Sequence, residues 1–483
     1  MGSVRRAALA LGISRWIAET SYLRRWIVLG VAIGAIAGAG AIVFYRALLL
    51  STHLLLAGIA GYTVPSPYGE GHSLGSVTPA HAWALPLVAA LGGLASGILV
   101  FAFAPEAEGH GTDAAIAAVH HNPRGVRLRA IVVKLLASAL TIGSGGSGGR
   151  EGPTGQISAG FGSLLARLLD LGPEDSRIAV STGIGAGIGA IFGAPLGGAV
   201  LAAEILYRDD FEPAVLLPCF VASAVGYLIF GAAEGFDPLF GSHGSYVFTD
   251  PAQLGWFALI GVLGGLIGLL YARNFYGTAA LFARSPLPRW LNPALGGLLV
   301  GAGGIFVPEL LGTGYGFIQK GMGAELSSIP LWIVLALPLL RILATSLSIG
   351  SGGSGGIFGP GMVIGAFVGA AVWRLFEPIV PSLGHDPAPY VIVGMMACFG
   401  SISRAPIAVM LMVAEMTGSI SIVVPAMLAV SLAWMIVRRS DATIYRSQLR
   451  DRSERTTALR DAEADEEESF GHLEAVLATS AAR

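Results

Sequence analysis

Charge is scarce in this sequence. Asp, Glu, Lys and Arg supply 12% of its 483 residues, while 54% are hydrophobic; a soluble domain is roughly one-quarter charged. With a mean hydropathy of +0.70, the chain cannot cover itself with a water-compatible surface. That excludes a soluble globular protein and leaves a polytopic membrane protein. Cysteine is scarcer still. Cys219 and Cys398 each lie in an apolar stretch, which argues for two small buried side chains and against a disulfide framework or a metal cluster. A cleavable leader is also missing: Arg5, Arg6, Arg15, Arg24 and Arg25 precede the first long apolar run, with no small-residue cleavage site. Basic residues ahead of the first span predict a cytoplasmic N-terminus. Arg438, Arg439, Arg446, Arg450, Arg452 and Arg455 predict the same for the other end, so the number of crossings should be even. The formal charge of −2 is segregated to these ends and gives no reason to expect a nucleic-acid partner. Residues 1–26 read as a cytoplasmic segment, 27–450 as the transmembrane domain, and 451–483 as a charged, solvated tail too short for a regulatory domain.

What the sequence has is a sentence written twice. LTIGSGGSGGREGP at 140–153 is answered by LSIGSGGSGGIFGP at 347–360, an offset of 207. Two further blocks repeat. Pro105-Glu106 with Gly109 and Gly111 matches Pro308-Glu309 with Gly312 and Gly314. Ala194-Pro195-Leu196 matches Ala405-Pro406-Ile407, and Glu204 and Glu415 each follow nine residues after the proline. The repeat halves run from about 84–232 and 293–437. Apolar segments fall at 27–50, 84–103, 130–142, 152–169, 174–192, 195–206, 212–232, 254–273, 293–311, 330–347, 361–376, 386–400, 405–416 and 421–437. Residues 109–121 are too short and polar to span. Several segments are well below the ~20 residues a straight crossing needs. Short, glycine- or proline-broken segments at matching places in two halves point to a binding site near the midplane.

The doubled loops suit an anion. At membrane depth, an irregular backbone is tolerated only inside protein or along a wet cavity. Glycines let it approach a ligand closely. Each loop is followed by a proline of the kind that opens a helix, and the free N–H groups at a helix start attract negative charge without a full cation. A flexible linker or close helix packing would also use glycine, but neither explains two copies between apolar segments. A soluble phosphate loop lacks its Gly-Lys-Ser/Thr here. The copies differ at Arg150-Glu151 against Ile357-Phe358. Glu151 is either a plain helix cap or a carboxylate that competes with an anion for the same amides and leaves when protonated; an ionisable group within the membrane favours the second reading.

Gly149-Arg-Glu-Gly-Pro153, Gly356-Ile-Phe-Gly-Pro360 and the Gly109-His-Gly111 loop resemble the signature loops of the CLC family of chloride channels and proton/chloride exchangers, over roughly residues 25–450. The resemblance implies an all-α fold of two inverted-topology repeats with broken, re-entrant helices. It implies a homodimer in the lipid bilayer, with one anion path per subunit, in a prokaryotic inner or plasma membrane. By the same resemblance, Glu151 is the gate and proton acceptor, and the amides of Ile357 and Phe358 are the central chloride ligands. Gly149, Arg150 and Gly152 belong to the loop beside them, and the Tyr445 hydroxyl closes the inner side, with Tyr390 as the other candidate. Lys134 is read as a long-range field, Arg150 as mainly structural, and Glu204 and Glu415 as structural acids. No cofactor or metal is implied.

Three departures stand out. His110 occupies the place of a chloride-binding serine, either donating to the anion or turned to the vestibule. Ile205 stands where exchangers often carry an inner proton-transfer glutamate. Thr112-Asp113 replaces Pro-Glu, with Asp113 expected to cap a helix. The sequence therefore predicts chloride transport gated by Glu151, as proton-coupled exchange or as a passive, voltage-gated-type channel. An intramembrane enzyme is the reading from another class. It lacks a paired catalytic constellation, since His120-His121 are adjacent rather than on one helical face.

Overall fold

In a computed structural model the described residues are 20–71, 73, 75, 78–241, 248, 250–380 and 383–455. Residues 1–19 and most of the charged tail lie outside them. The described chain is helical throughout. The first half comprises α1 (Tyr22–Thr52, running on through a π-turn at His53–Ala57), α2 (Ala84–Phe103), α3 (Thr112–His121), α4 (Leu128–Gly143), α5 (Glu151–Leu168), α6 (Pro173–Phe192), α7 (Pro195–Glu204) and α8 (Pro213–Glu234). The second comprises α9 (Leu254–Ala283), α10 (Asn292–Phe306), α11 (Tyr315–Gly321), α12 (Leu331–Gly350), α13 (Phe358–Phe376), α14 (Ala388–Ile402), α15 (Pro406–Thr417) and α16 (Val423–Arg438).

Most apolar runs became helices within a few residues of their sequence bounds. Three findings go beyond them. The segment 254–273 continues to Ala283. Tyr315–Gly321 is a short helix that hydropathy does not reveal; it is the counterpart of α3. The repeat is also wider than 84–232 and 293–437. The long helix α1 packs on α4, α5, α6 and α8, and α9 packs on the corresponding α12, α13, α14 and α16, so each half has eight helices. Among the described residues, seven helices are long and apolar enough to cross a membrane, and α10, α14 and α15 are shorter apolar helices. Large apolar side chains such as Leu50, Leu91, Leu281, Phe306 and Val424 face outward, as a lipid-facing surface requires.

The halves meet about an approximate two-fold axis, legible in hydrogen bonds between repeat-equivalent residues. Gly149 and its own counterpart Gly356 form an antiparallel bridge, each N–H donating to the other's carbonyl at 2.7 Å. The Ser147 N–H donates to Ser348 Oγ, and the Ser354 N–H to Thr141 Oγ1. Ser147 and Thr345 share a hydroxyl bond, as do Ser354 and Ser138. At the other end of the halves, Glu204 accepts from the Ile407 and Ala408 N–H groups at 3.2 and 2.7 Å. Glu415 accepts from Leu196 and Gly197 at 3.1 and 2.7 Å. Each glutamate thus caps the first turn of the other half's short helix, α15 or α7. This satisfies donors that have no intrahelical partner. Cys219 and Cys398 are free and buried.

Candidate functional site: an anion cradle between the two loops

The site forms where α5 and α13 begin. Glu151 is the first residue of α5, yet its carboxylate reaches across the axis to the start of α13. Oε1 accepts from the N–H of Phe358 at 2.7 Å and of Gly359 at 3.0 Å, and Oε2 from the Tyr315 hydroxyl at 3.3 Å. The side chain is 1% exposed. A carboxylate so held is an anion on the amides of a helix start, where the backbone dipole favours negative charge. Two glycines make room for it: a Cβ on Gly149 would lie 2.2 Å from Oε2, and one on Gly356 2.3 Å from Oε1. Phe358 is the repeat counterpart of Glu151, so the two copies of the loop dock into each other, the first giving the charge and the second the amides.

The amides holding the carboxylate are those of Phe358 and Gly359. Ile357 is the cap residue of α13, and its carbonyl accepts from the Tyr271 hydroxyl at 2.9 Å. The Gly149 N–H donates to the Gly356 carbonyl, so Gly149 contributes the bridge and the space beside the carboxylate. Gly152 lies against the first loop: a Cβ there would meet the His110 carbonyl at 2.1 Å.

The cations act on backbone. Lys134, fully buried, donates from Nζ to the carbonyls of Ala107 and Gly109 at 3.2 and 2.7 Å. Its counterpart Arg341 donates to Glu309 and Gly312 at 2.9 and 2.5 Å. Each holds a loop whose paired glycines have positive φ, Gly109 and Gly111 in one half and Gly312 and Gly314 in the other, a conformation only glycine adopts freely. Lys134 is therefore a clamp on the first loop, beyond the distant field expected of it. Arg150 turns away from the amides, paired with Glu70 and surrounded by the rings of Tyr45, Phe192 and Tyr315 at 5.1–5.9 Å.

Tyr445, buried, lies with its ring 5.7 Å from that of His110 and 6.4 Å from Phe399. Its segment is fixed by Tyr276 donating to the Ile444 carbonyl at 2.8 Å and by Gln448 donating to Ile205 and Ser403. Tyr390 sits elsewhere, bonded to the Leu383 carbonyl. Ile205 is fully buried. His110 is 6% exposed; its Nε2 stands 3.6 Å from Asp113 Oδ2, and its Nδ1 is buried without a hydrogen-bond partner. Asp113 does not cap α3, whose cap position is Gly111; it accepts instead from the Ser447 N–H at 2.9 Å. Tyr315 and Tyr271 were missed by sequence reasoning. The signal for Tyr315 was its place directly after Gly314 in the repeated Gly-x-Gly loop.

The profile of the family described as "Voltage gated chloride channel" matches residues 92–438. The chain is 32% identical over 333 residues to an uncharacterised protein of Methanocaldococcus jannaschii, covering 69% of this chain and 80% of that one. It is 32% identical over 342 residues to the H(+)/Cl(-) exchange transporter ClcA of Vibrio cholerae, covering 68% and 70%. Among solved structures, a slow cyanobacterial Cl-/H+ antiporter is similar with a TM-score of 0.72 at 24% identity, covering 88% of this chain and 96% of that one. A CLC-type fluoride/proton antiporter is similar with a TM-score of 0.73 at 21% identity, covering 89% and 100%.

Proposed function

The chain belongs to the voltage-gated chloride channel (CLC) family, an integral multi-pass membrane protein of the all-helical CLC fold that moves anions and is not an enzyme, and from that premise we propose that it exchanges chloride for protons with Glu151 as the gate. One observation carries the reading: the Glu151 carboxylate rests on the Phe358 and Gly359 amides. An anion bound there must displace the carboxylate, and a protonated Glu151 has no charge with which to hold its place. The anion and the carboxylate thus compete for the same donors, and proton uptake by Glu151 decides the competition for the anion, which is the physical content of coupling. The Vibrio cholerae relative is an H(+)/Cl(-) exchange transporter, which supports the same direction. Tyr445, His110 and Phe399 cluster at the inner end of the path, where Tyr445 closes it. A homodimer in the bilayer with both termini cytoplasmic completes the reading.

A passive channel is the second reading, and Ile205 favours it: a buried isoleucine cannot relay a proton. Reconstituted protein under a pH gradient separates the two. Exchange displaces the reversal potential from the chloride equilibrium value, and a channel leaves it there. In the same assay Glu151→Gln is expected to conduct chloride constitutively with no proton flux. A Glu151→Gln variant that keeps the wild-type pH dependence would remove Glu151 as the gate.

A further inference from the structure

The exchange reading leaves one gap: with Ile205 in place of an acid, something else must bring protons to Glu151 from the inner side. We infer that His110 and Asp113 form that proton-binding site. The inference rests on Glu151 acting as proton acceptor and adds the group that supplies it.

His110 is buried on the inner loop, its backbone in contact with Gly152, the neighbour of Glu151. One ring nitrogen, Nε2, stands 3.6 Å from the Asp113 carboxylate, and the other, Nδ1, is buried with no hydrogen-bond partner. An orphaned nitrogen in such a place costs free energy unless something transient uses it. The charged and titratable groups around the ring come from every element packed on it. Asp113 lies one turn along α3. Tyr276 of α9 reaches Asp113 at 3.5 Å. Tyr445 lies beside the ring at 5.7 Å. Arg446 stacks on Tyr276 at 3.6 Å. Lys134 of α4 is occupied by the Ala107 and Gly109 carbonyls, and Glu108 by Arg289 at 3.0 Å. Asp113 is therefore the carboxylate that meets the imidazole. It is partly exposed, at 24%. Its partner Tyr276 lines an open cavity of about 600 Å³ with Arg208, Arg273, Asp441, Thr443 and Arg446, so Asp113 stands between the residue that lines this cavity and the buried imidazole.

The transfer balances. A hydronium ion in the cavity passes a proton by way of Asp113 to Nε2, giving an imidazolium with two N–H groups. The imidazolium then releases a proton from Nδ1 to the Glu151 carboxylate when that side chain has left the amides. Rotation of the ring restores the starting tautomer. One proton has moved and no group is consumed. A histidine suits this work because its charge changes within the physiological pH range. The imidazolium is also a cation beside the anion path, so its charged form draws chloride inward as the proton arrives.

The test uses the full chain in liposomes with an outward chloride gradient, reading chloride efflux and proton uptake in the same vesicles. The readout is the ratio of the two fluxes, which a merely structural role would leave unchanged. His110→Gln is expected to lower the proton-to-chloride ratio by about tenfold or more, as loss of a positioned proton-transfer group does. Ile205→Glu added to it is expected to raise the ratio again. Asp113→Asn is expected to lower the ratio as well, since an amide cannot relay the proton, and to move the pH profile of the remaining proton uptake to lower pH, because the imidazolium loses its counter-charge. A wild-type ratio in His110→Gln overturns the inference. Should that variant fail to elute as folded protein, an Asp113→Asn profile unshifted from wild type overturns it equally. A wild type that moves chloride without protons overturns the exchange reading itself, and this inference with it; coupling intact in both wild type and His110→Gln overturns the inference alone.

Discussion

The two copies of the glycine loop are nearly the same sentence, but they have divided the work. In the scaffold they are equals. Gly149 and Gly356 pair with one another, Lys134 and Arg341 each clamp two carbonyls of a loop, and Glu204 and Glu415 each cap the other half's helix. At the counterparts Glu151 and Phe358 the equality ends: one supplies a carboxylate, the other an amide that holds it. The short helices diverge likewise. The first carries Asp113, with His110 in the loop before it, and the second presents Tyr315, whose hydroxyl reaches Glu151. Symmetry builds the cradle, and the proposed gate lies among the few residues that break it.

The sharpest way to break the comparison is to make the two copies alike in charge. Glu151→Gln is expected to reduce proton flux to that of protein-free liposomes while chloride still passes. Next come the caps. Glu204→Ala and Glu415→Ala each strand two helix-start N–H groups, and each is expected to cost about 1–3 kcal/mol, read as a lower melting temperature in detergent. The two should cost similar amounts; a large loss from one and none from the other would mean the halves are not equivalent there. Smaller is Tyr315→Phe, which removes one 3.3 Å contact to Glu151. A weak hydrogen bond of about 1 kcal/mol predicts roughly a fivefold rise in chloride turnover at fixed pH. The last is a pH effect outside the cradle, small near neutral pH. His120, at the end of α3, is pushed from 6.5 down to about 4 by burial, although it bonds the Leu206 carbonyl. Its depressed value makes the unfolded chain the better proton binder between those limits. Stability is then constant above about pH 6.5 and falls as pH drops towards 4. His120→Gln is expected to flatten that part of a melting-temperature profile.

The extent of the repeat in sequence made the fold readable. Hydropathy placed the helices, and the offsets of 203, 207 and 211 paired them. Two classes of fact were not readable. Periodicity says that Glu204 and Glu415 are equivalent but not that each faces the other's helix, since that depends on the axis relating the halves. The same holds for Ser147 with Thr345 and for Gly149 with Gly356. A motif marks the two loops but not which consecutive amides hold the Glu151 carboxylate. That is set by where α13 begins, and the first turn at Phe358 turns the Phe358 and Gly359 N–H groups, rather than that of Ile357, to the carboxylate. Glu151 itself stood out in sequence because it is the one carboxylate at a loop whose other copy has none.

The central claim is that the Glu151 carboxylate occupies donors which an anion would otherwise take. Calorimetric titration of chloride into purified wild type and Glu151→Ala at one pH tests it most directly. The account predicts that the variant binds more chloride per subunit than the wild type, because the Phe358 and Gly359 amides are freed. Equal stoichiometry and equal affinity in the two proteins would contradict it.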